Sequence, residues 1–157
     1  AKASGTTSAG LRHLPVGTRA FVEGPYGAFT SLHRTRPGVL LIAGGVGITP
    51  VRALLEEEPA DDVVVLYRVR SEDDAVLIDE VRTLVAGLGG QLHLLTGRRG
   101  EGSPPFEPES LRALVPDITE RDVYVCGPPA MTSTVLGALD GLKVPRPQVH
   151  SERFGLA

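Results

Sequence analysis

An apolar run ends in glycines at "AGGVGITP", residues 43–50, and a helix-like pattern follows without a gap. Gly44, Gly45 and Gly47 carry no Cβ, so a diphosphate can come close to this backbone. The amides that open the following helix lack partners and carry the positive end of its dipole. Binding of a phosphate group is the chemistry this predicts, with Gly44, Gly45, Gly47 and Thr49 nearest to it. The Thr49 hydroxyl either caps the helix or donates to a phosphate, and Pro50 sits where a missing N–H costs nothing. The spacing is Gly-x-Gly-x-x-Pro, which departs from the Gly-x-Gly-x-x-Gly fingerprint of common dinucleotide folds. A tight turn that needs glycine for its own geometry explains the same residues, so both readings stay open on the turn alone.

A second group lies at "YVCGPPAM", residues 124–131. Cys126 either packs as a small hydrophobe or stands beside a ligand at the carboxyl end of a strand. No base is evident for it, so it is not read as a nucleophile. Met131, one turn into the next helix, reads as core or as a cofactor contact. Arginines gather in "YRVR", with Arg68 and Arg70, and in "TGRRG", with Thr96, Arg98 and Arg99. Two arginines can hold a phosphate through charge-assisted bidentate contacts. A solvated basic loop is the plainer account, and Arg70 fits equally well as a partner for Glu72 and Asp73. His13, His33 and His93 show no metal-ligand spacing, and one cysteine makes neither a zinc nor an iron–sulfur site.

Alternating elements must carry these residues. Strand patterns run over 39–43, 62–69, 91–96, 122–127 and 147–154, with helix patterns between them over 49–58, 71–87, 108–115 and 129–142. Thr49 and Ser71 stand as N-caps. Leu77, Val81, Leu84, Val85 and Leu88 follow helical spacing, and Met131, Val135, Leu139 and Leu142 form the buried stripe of the last helix. The strands are apolar along their whole length, so both of their faces are covered. The prediction is a doubly wound α/β domain with a five-stranded parallel sheet. Upstream, residues 18–23 read as a short strand, "GPYG" around Tyr26 as a turn, and 33–38 as a linker.

The 157 residues fit one domain, and 41% hydrophobic content suffices for a core. A net charge of −3 provides no global field for nucleic acid. Cys126 is the only cysteine, so no internal disulfide forms, which suits a reducing compartment. The N-terminal residues lack the apolar core of a secretory signal, and no apolar run is long enough to span a bilayer, so the chain as given reads as soluble.

Taken together, "GGVGITP" at 44–50, "YVCGPPAM" at 124–131 and "HSERF" at 150–154 resemble the pyridine-nucleotide domain of the ferredoxin–NADP reductase superfamily. "EGPYGAF" at 23–29 resembles the closing stretch of the flavin-binding barrel that precedes it, and the resemblance covers essentially the whole chain. With "LYRVRSEDD" and "TGRRG" added, the chain looks most like the reductase portion of bacterial ferric-reductase-like and NADPH-oxidase-like membrane proteins. The resemblance implies hydride transfer from NADPH to FAD, with electrons passed on to haem, iron or oxygen. It places Gly45, Gly47, Ile48 and Thr49 in the diphosphate turn, and Cys126, Gly127 and Pro128 beside the nicotinamide. It places Thr96 and Arg98 where an adenosine 2′-phosphate is read, which favours NADP over NAD. Glu152 and Phe154 fall where the family sets an acid and an aromatic ring against the flavin, although Gly155, Leu156 and Ala157 follow the ring here. His150 and Ser151 have no assigned role.

The division expected is 1–38 as the tail of the barrel with a linker and 39–157 as the nucleotide-binding domain. The flavin-binding Arg-x-Tyr-Ser/Thr stretch is absent upstream of residue 39, so the chain is expected to hold FAD poorly and to be inactive alone. A transmembrane haem domain in the parent would put this piece at the cytoplasmic face. Two rival readings remain: a soluble NADH-dependent oxygenase-reductase component, and a nucleotide-binding module without catalysis.

Overall fold

The computed structural model describes residues 6–21, 23, 29–57, 62–97 and 106–153. Five strands form one sheet: β1 (Gly38–Gly44), β2 (Asp62–Arg68), β3 (Gln91–Leu95), β4 (Asp122–Gly127) and β5 (Val149–Arg153). Every pairing is parallel, in the order β3-β2-β1-β4-β5. The helices are α1 (Thr6–Gly10), α2 (Ile48–Glu57), α3 (Ile78–Gly87), α4 (Pro108–Leu114) and α5 (Pro129–Gly141).

Alternation along β1 divides the interior into two cores. Leu41 and Ala43 face one core with Val51 and Leu55 of α2 and Val81 and Val85 of α3. Leu40 and Ile42 face the other, with Leu111 of α4 and Val135 and Leu139 of α5. Each fully buried aliphatic side chain contributes about 1.5–3 kcal/mol, which is why the central strands are apolar on both faces. The strand order reverses between β1 and β4, so their carboxyl ends flank a crevice.

Most elements end within one residue of the bounds expected from sequence. The helix expected over 71–87 is instead broken. Glu72–Asp74 form a single 3-10 turn, α3 begins at Ile78, and Leu77 between them adopts the left-handed region at φ 59°. Tyr67 on β2 accounts for the break. Its hydroxyl donates to the Val76 carbonyl at 3.2 Å, and a buried phenol requires such an acceptor. Ser71 caps no amide, because its hydroxyl donates to the Asp74 carboxylate at 3.0 Å. Val81 and Val85 are buried, while Leu77, Leu84 and Leu88 pack half-buried against the same core.

Other departures are local. A 3-10 turn over Gly45–Gly47 runs directly into α2, so Thr49 lies inside the first turn rather than at its cap. A 3-10 turn over Arg146–Gln148 precedes β5, which therefore starts at Val149; Pro145 and Pro147 cannot donate to a ladder. Met131 is half-buried rather than core, unlike Val135, Leu139 and Leu142. Residues 18–21 form no strand, since all pairings of the sheet lie among β1–β5. Tyr26 and its turn lie outside the described residues. The segment read as a linker is anchored: the main-chain amides of Thr35 and Arg36 donate to the Asp122 carboxylate. Among the described residues, no helix is long and apolar enough to cross a membrane.

Candidate functional site

The crevice at the strand reversal is assembled by close backbone packing. A Cβ on Gly47 would strike the main-chain carbonyl of Cys126 and come within 2.6 Å of its carbonyl carbon. Only glycine lets the turn after β1 rest on the end of β4. Gly45 has a different requirement, with φ +52° and open space around it, so its backbone is available to a ligand. Val46 stands exposed at the apex. Gly44 and Gly127 face Met131: a Cβ on either would lie 2.6 Å from its Sδ or Cε, respectively. Met131 thus occupies the seat these two glycines leave.

The first turn is narrower as a phosphate cradle than the sequence implied. The Ile48 side chain has no exposed surface, and its N–H already donates to the carbonyls of Gly45 and Val46. The Thr49 hydroxyl donates to the Val46 carbonyl at 3.0 Å, which commits its proton to the turn. Pro50 has no N–H to offer. Free donors therefore belong to the amides that open the 3-10 turn itself, ahead of its first internal bond.

At the end of β4, Cys126 is fully buried. Burial foremost, and then the negative charge of Glu152, push its thiol up to about 11. A neutral, enclosed thiol is no nucleophile. Its main-chain carbonyl is what Gly47 packs against. The parallel register sets Cys126 beside Ala43 on one side and Glu152 on the other. Glu152 is half-buried. Gly127 and Pro128 lead into α5, whose first residue is a second proline, Pro129. Thr132, which the sequence reading passed over, secures this corner: it is buried, and its hydroxyl and amide donate to the carbonyls of Gly127 and Pro128 at 3.3 and 3.0 Å.

On the opposite side of β1, Arg68 ends β2 directly beside Gly44, with Leu95 of β3 next in register. Its guanidinium is half-buried and has no hydrogen-bond or ion-pair partner among the described residues, and burial lowers its pKa. An uncommitted cation held partly out of water is a poised anion receptor. Arg70 is exposed and makes no ion pair with Glu72 or Asp73; its carbonyl accepts from the Gly97 amide at 2.9 Å. That bond ties the β2 and β3 loops together, with half-buried Thr96 between them. Arg98, Arg99 and Phe154 lie outside the described residues.

The strand ends therefore carry, in spatial order, Thr96, Arg68, the glycine turn, Cys126–Pro128 and Glu152. Four inter-strand spacings of about 4.8 Å give a row roughly 19 Å long, running across the strand reversal where ligands of open α/β sheets bind. Among the described residues, no group of three or more His, Cys, Asp or Glu could hold a metal ion.

Comparison with known proteins agrees with this geometry. A family described as the oxidoreductase NAD-binding domain matches residues 41–136. The reductase component of propane 2-monooxygenase from Mycolicibacterium goodii is 31% identical over 155 residues, covering 90% of this chain and 44% of that protein. The ferredoxin reductase component of 3-ketosteroid-9-alpha-monooxygenase from Mycobacterium tuberculosis strain H37Rv is 34% identical over 148 residues, covering 90% of this chain and 40% of that protein. The chain thus spans less than half the length of these relatives. Among solved structures, the flavohem-like FAD/NAD binding domain of nitric oxide dioxygenase from Vibrio cholerae O1 biovar El Tor matches with a TM-score of 0.57 and 28% identity, covering 78% of this chain and 53% of that one. With a glycine turn and a Cys-Gly-Pro corner meeting at the reversal of a five-stranded parallel sheet, the chain belongs to the oxidoreductase NAD-binding domain family of the ferredoxin–NADP reductase superfamily.

Proposed function

We propose that the chain is the NAD(P)H-binding part of a flavin-dependent reductase, and that residues 39–157 present a nicotinamide to a flavin carried by a preceding barrel, of which residues 1–38 are the tail. The observation that carries this reading is the packing of Gly47 on the Cys126 carbonyl, which joins the glycine turn to the Cys-Gly-Pro corner. The residues suit a dinucleotide: open backbone at Gly45, a cation at Arg68 without a partner among the described residues, and a row of strand ends running across the reversal.

In this reading the backbone from Gly45 to Pro50 cradles the diphosphate. Arg68, Arg70, Thr96, Arg98 and Arg99 receive the adenosine end. Gly127 and Pro128, with Met131 beneath them, shape the nicotinamide end. Buried Cys126 keeps water from that end and moves no proton, and Glu152 and Phe154 stand towards the flavin. NAD(P)H, when bound, supplies the hydride that FAD accepts. The arginines favour NADPH as donor.

The two relatives are reductase components of oxygenases, which favours an oxygenase component as the partner that takes the electrons. A ferric-reductase-like or NADPH-oxidase-like parent with a transmembrane haem domain rests on the sequence motifs alone. Calorimetric titration with NADP⁺ and NAD⁺, beside an Arg98→Ala variant, tests the reading. Tighter NADP⁺ binding that Arg98→Ala weakens selectively supports it. Equal or better NAD⁺ binding makes the NADH-dependent oxygenase reductase the leading form. If a dinucleotide binds but the chain joined to its barrel passes no electrons from it to flavin, the non-catalytic nucleotide-binding reading stands.

A further inference from the structure

Asp122 opens β4 as a fully buried carboxylate. It accepts from the Thr35 amide at 2.7 Å, from the Arg36 amide at 2.5 Å and from the Thr35 hydroxyl at 3.3 Å. His150 Nε2 lies 2.9 Å from its other side. Around this centre the neighbours of Asp122 grip the same incoming segment. The Tyr124 hydroxyl donates to the Thr30 carbonyl at 3.0 Å, and the Phe29 ring meets the Tyr124 ring edge-on with centroids 5.3 Å apart. Arg36 donates to Gln148 Oε1 at 3.3 Å, while the buried Gln148 amide is itself held by the Thr119 and Arg121 carbonyls. His150 stacks on the other face of this arrangement, 4.4 Å from the Tyr124 ring.

Such fixation exceeds what a mere connector needs. A buried carboxyl group whose main-chain donors come from another segment binds that segment firmly, because freeing the segment strips Asp122 of both amides and the Thr35 hydroxyl and leaves it His150 alone. The location of the grip is equally specific. Alternation along β4 puts Asp122, Tyr124 and Cys126 on one face, and the register sets His150 beside Tyr124 and Glu152 beside Cys126. The grip and the nicotinamide end of the site therefore share one face of two strands, about 13 Å apart at 3.3 Å per residue.

We propose that Asp122, with His150, Tyr124 and Gln148, is a positioning latch: it fixes residues 29–36 on the β4–β5 face that carries Cys126 and Glu152, and so holds the preceding domain in one orientation to the nicotinamide end. The inference rests on the reading of the chain as the dinucleotide half of a flavin reductase. Asp122 touches no cofactor and acts through the segment it holds.

Two measurements on Asp122→Ala and Asp122→Asn test it. In the 157-residue chain, amide hydrogen exchange at Thr35 and Arg36 is expected to accelerate at least tenfold in Asp122→Ala, with Leu40 and Ile42 unchanged. In the reductase that includes the flavin barrel, NADP⁺ affinity is expected to stay within twofold. The rate of flavin reduction is expected to fall roughly ten- to hundredfold, since misplacement by about 1 Å has that effect. Asp122→Asn retains an oxygen that can accept both amides and should lie between wild type and Asp122→Ala. A general loss of folding would lower affinity and rate together, which separates it from the latch. If Asp122→Ala does not fold, Tyr124→Phe removes one leg of the latch and is read in the same two assays. Unchanged exchange at Thr35 and Arg36, or unchanged flavin reduction in a latch variant, overturns the proposal. A wild-type reductase with no NAD(P)H-dependent flavin reduction overturns the functional reading instead, and the exchange result then decides alone whether the segment is latched.

Discussion

Gly47 rests on the main-chain carbonyl of Cys126, and no side chain fits between them. This contact turns two separate sequence motifs into one crevice. Gly47→Ala must push the turn after β1 away from β4, at a cost of about 1–3 kcal/mol for overpacking. Dinucleotide affinity is expected to fall with it, on the order of tenfold or more, because the cradle and the nicotinamide corner separate. Gly45→Ala is the informative comparison. It meets no neighbouring atom but is held at φ +52°, which costs about 1–2 kcal/mol for an L-residue. Thermal unfolding and calorimetry on both variants distinguish the two effects. An unaltered Gly47→Ala chain would mean that the motifs do not depend on their contact.

Arg68 is expected to matter for ligand and not for fold. Its guanidinium has no hydrogen-bond or ion-pair partner among the described residues, and burial opposes its charge. Arg68→Met keeps the apolar stem and removes the cation. Unfolding of the unliganded variant is expected at the same temperature or slightly higher. A hydrogen bond to a charged group contributes about 1.5–3 kcal/mol, so dinucleotide affinity should fall roughly ten- to hundredfold and depend less on salt. Destabilisation of the free variant with unchanged affinity would remove Arg68 from the site.

The parallel sheet was legible because β1, β2 and β4 are buried on both faces and their sequences show it directly. The glycine turn and the Cys-Gly-Pro corner were legible as motifs. Their contact was not, since sequence spacing says nothing of which strand ends meet. Two kinds of feature stayed hidden. The break before α3 depends on the Tyr67 hydroxyl reaching the Val76 carbonyl, a bond between a strand and the loop that follows it. The anchoring of residues 29–36 depends on Asp122, whose apolar neighbours in "DVYVCG" mark a strand but do not reveal that its first residue is a buried carboxylate with two main-chain donors. Periodicity registers which face is apolar; it does not register a polar group satisfied across the fold.

Tyr67→Phe tests the first of these hidden features. The ring stays in the core, and only the bond to Val76 is lost. Destabilisation of about 1 kcal/mol is expected, measurable in urea. Faster amide exchange should be confined to residues 74–78, where the chain turns through Leu77 into α3. A Tyr67→Phe chain with unchanged exchange there would show that the break has another cause.

Cys126 gives the protein an alkaline limb. Its folded-state pKa is raised from 9.0 to about 11, by burial first and by the Glu152 charge second. Below pH 9 the thiol is protonated in both folded and unfolded chains and adds no pH dependence. Between about pH 9 and 11 the unfolded chain releases a proton that the folded chain keeps, so stability falls as pH rises. Two pKa units correspond to at most about 3 kcal/mol. Tyr124, raised from 10.0 to about 12 by its own burial, adds a second decline that starts near pH 10, overlaps the first and continues to about pH 12. Cys126→Ala is expected to flatten the curve between about pH 9 and 10 and to leave the decline above pH 10 that Tyr124 carries. Glu152→Gln removes the nearby negative charge, so it should move the end of the first limb to lower pH. In the native chain at pH 8, a thiol reagent should modify Cys126 only at the rate of opening or unfolding. Rapid modification without unfolding would mean that the thiol is open to the crevice, and its assignment as a closed wall of the nicotinamide end would fall.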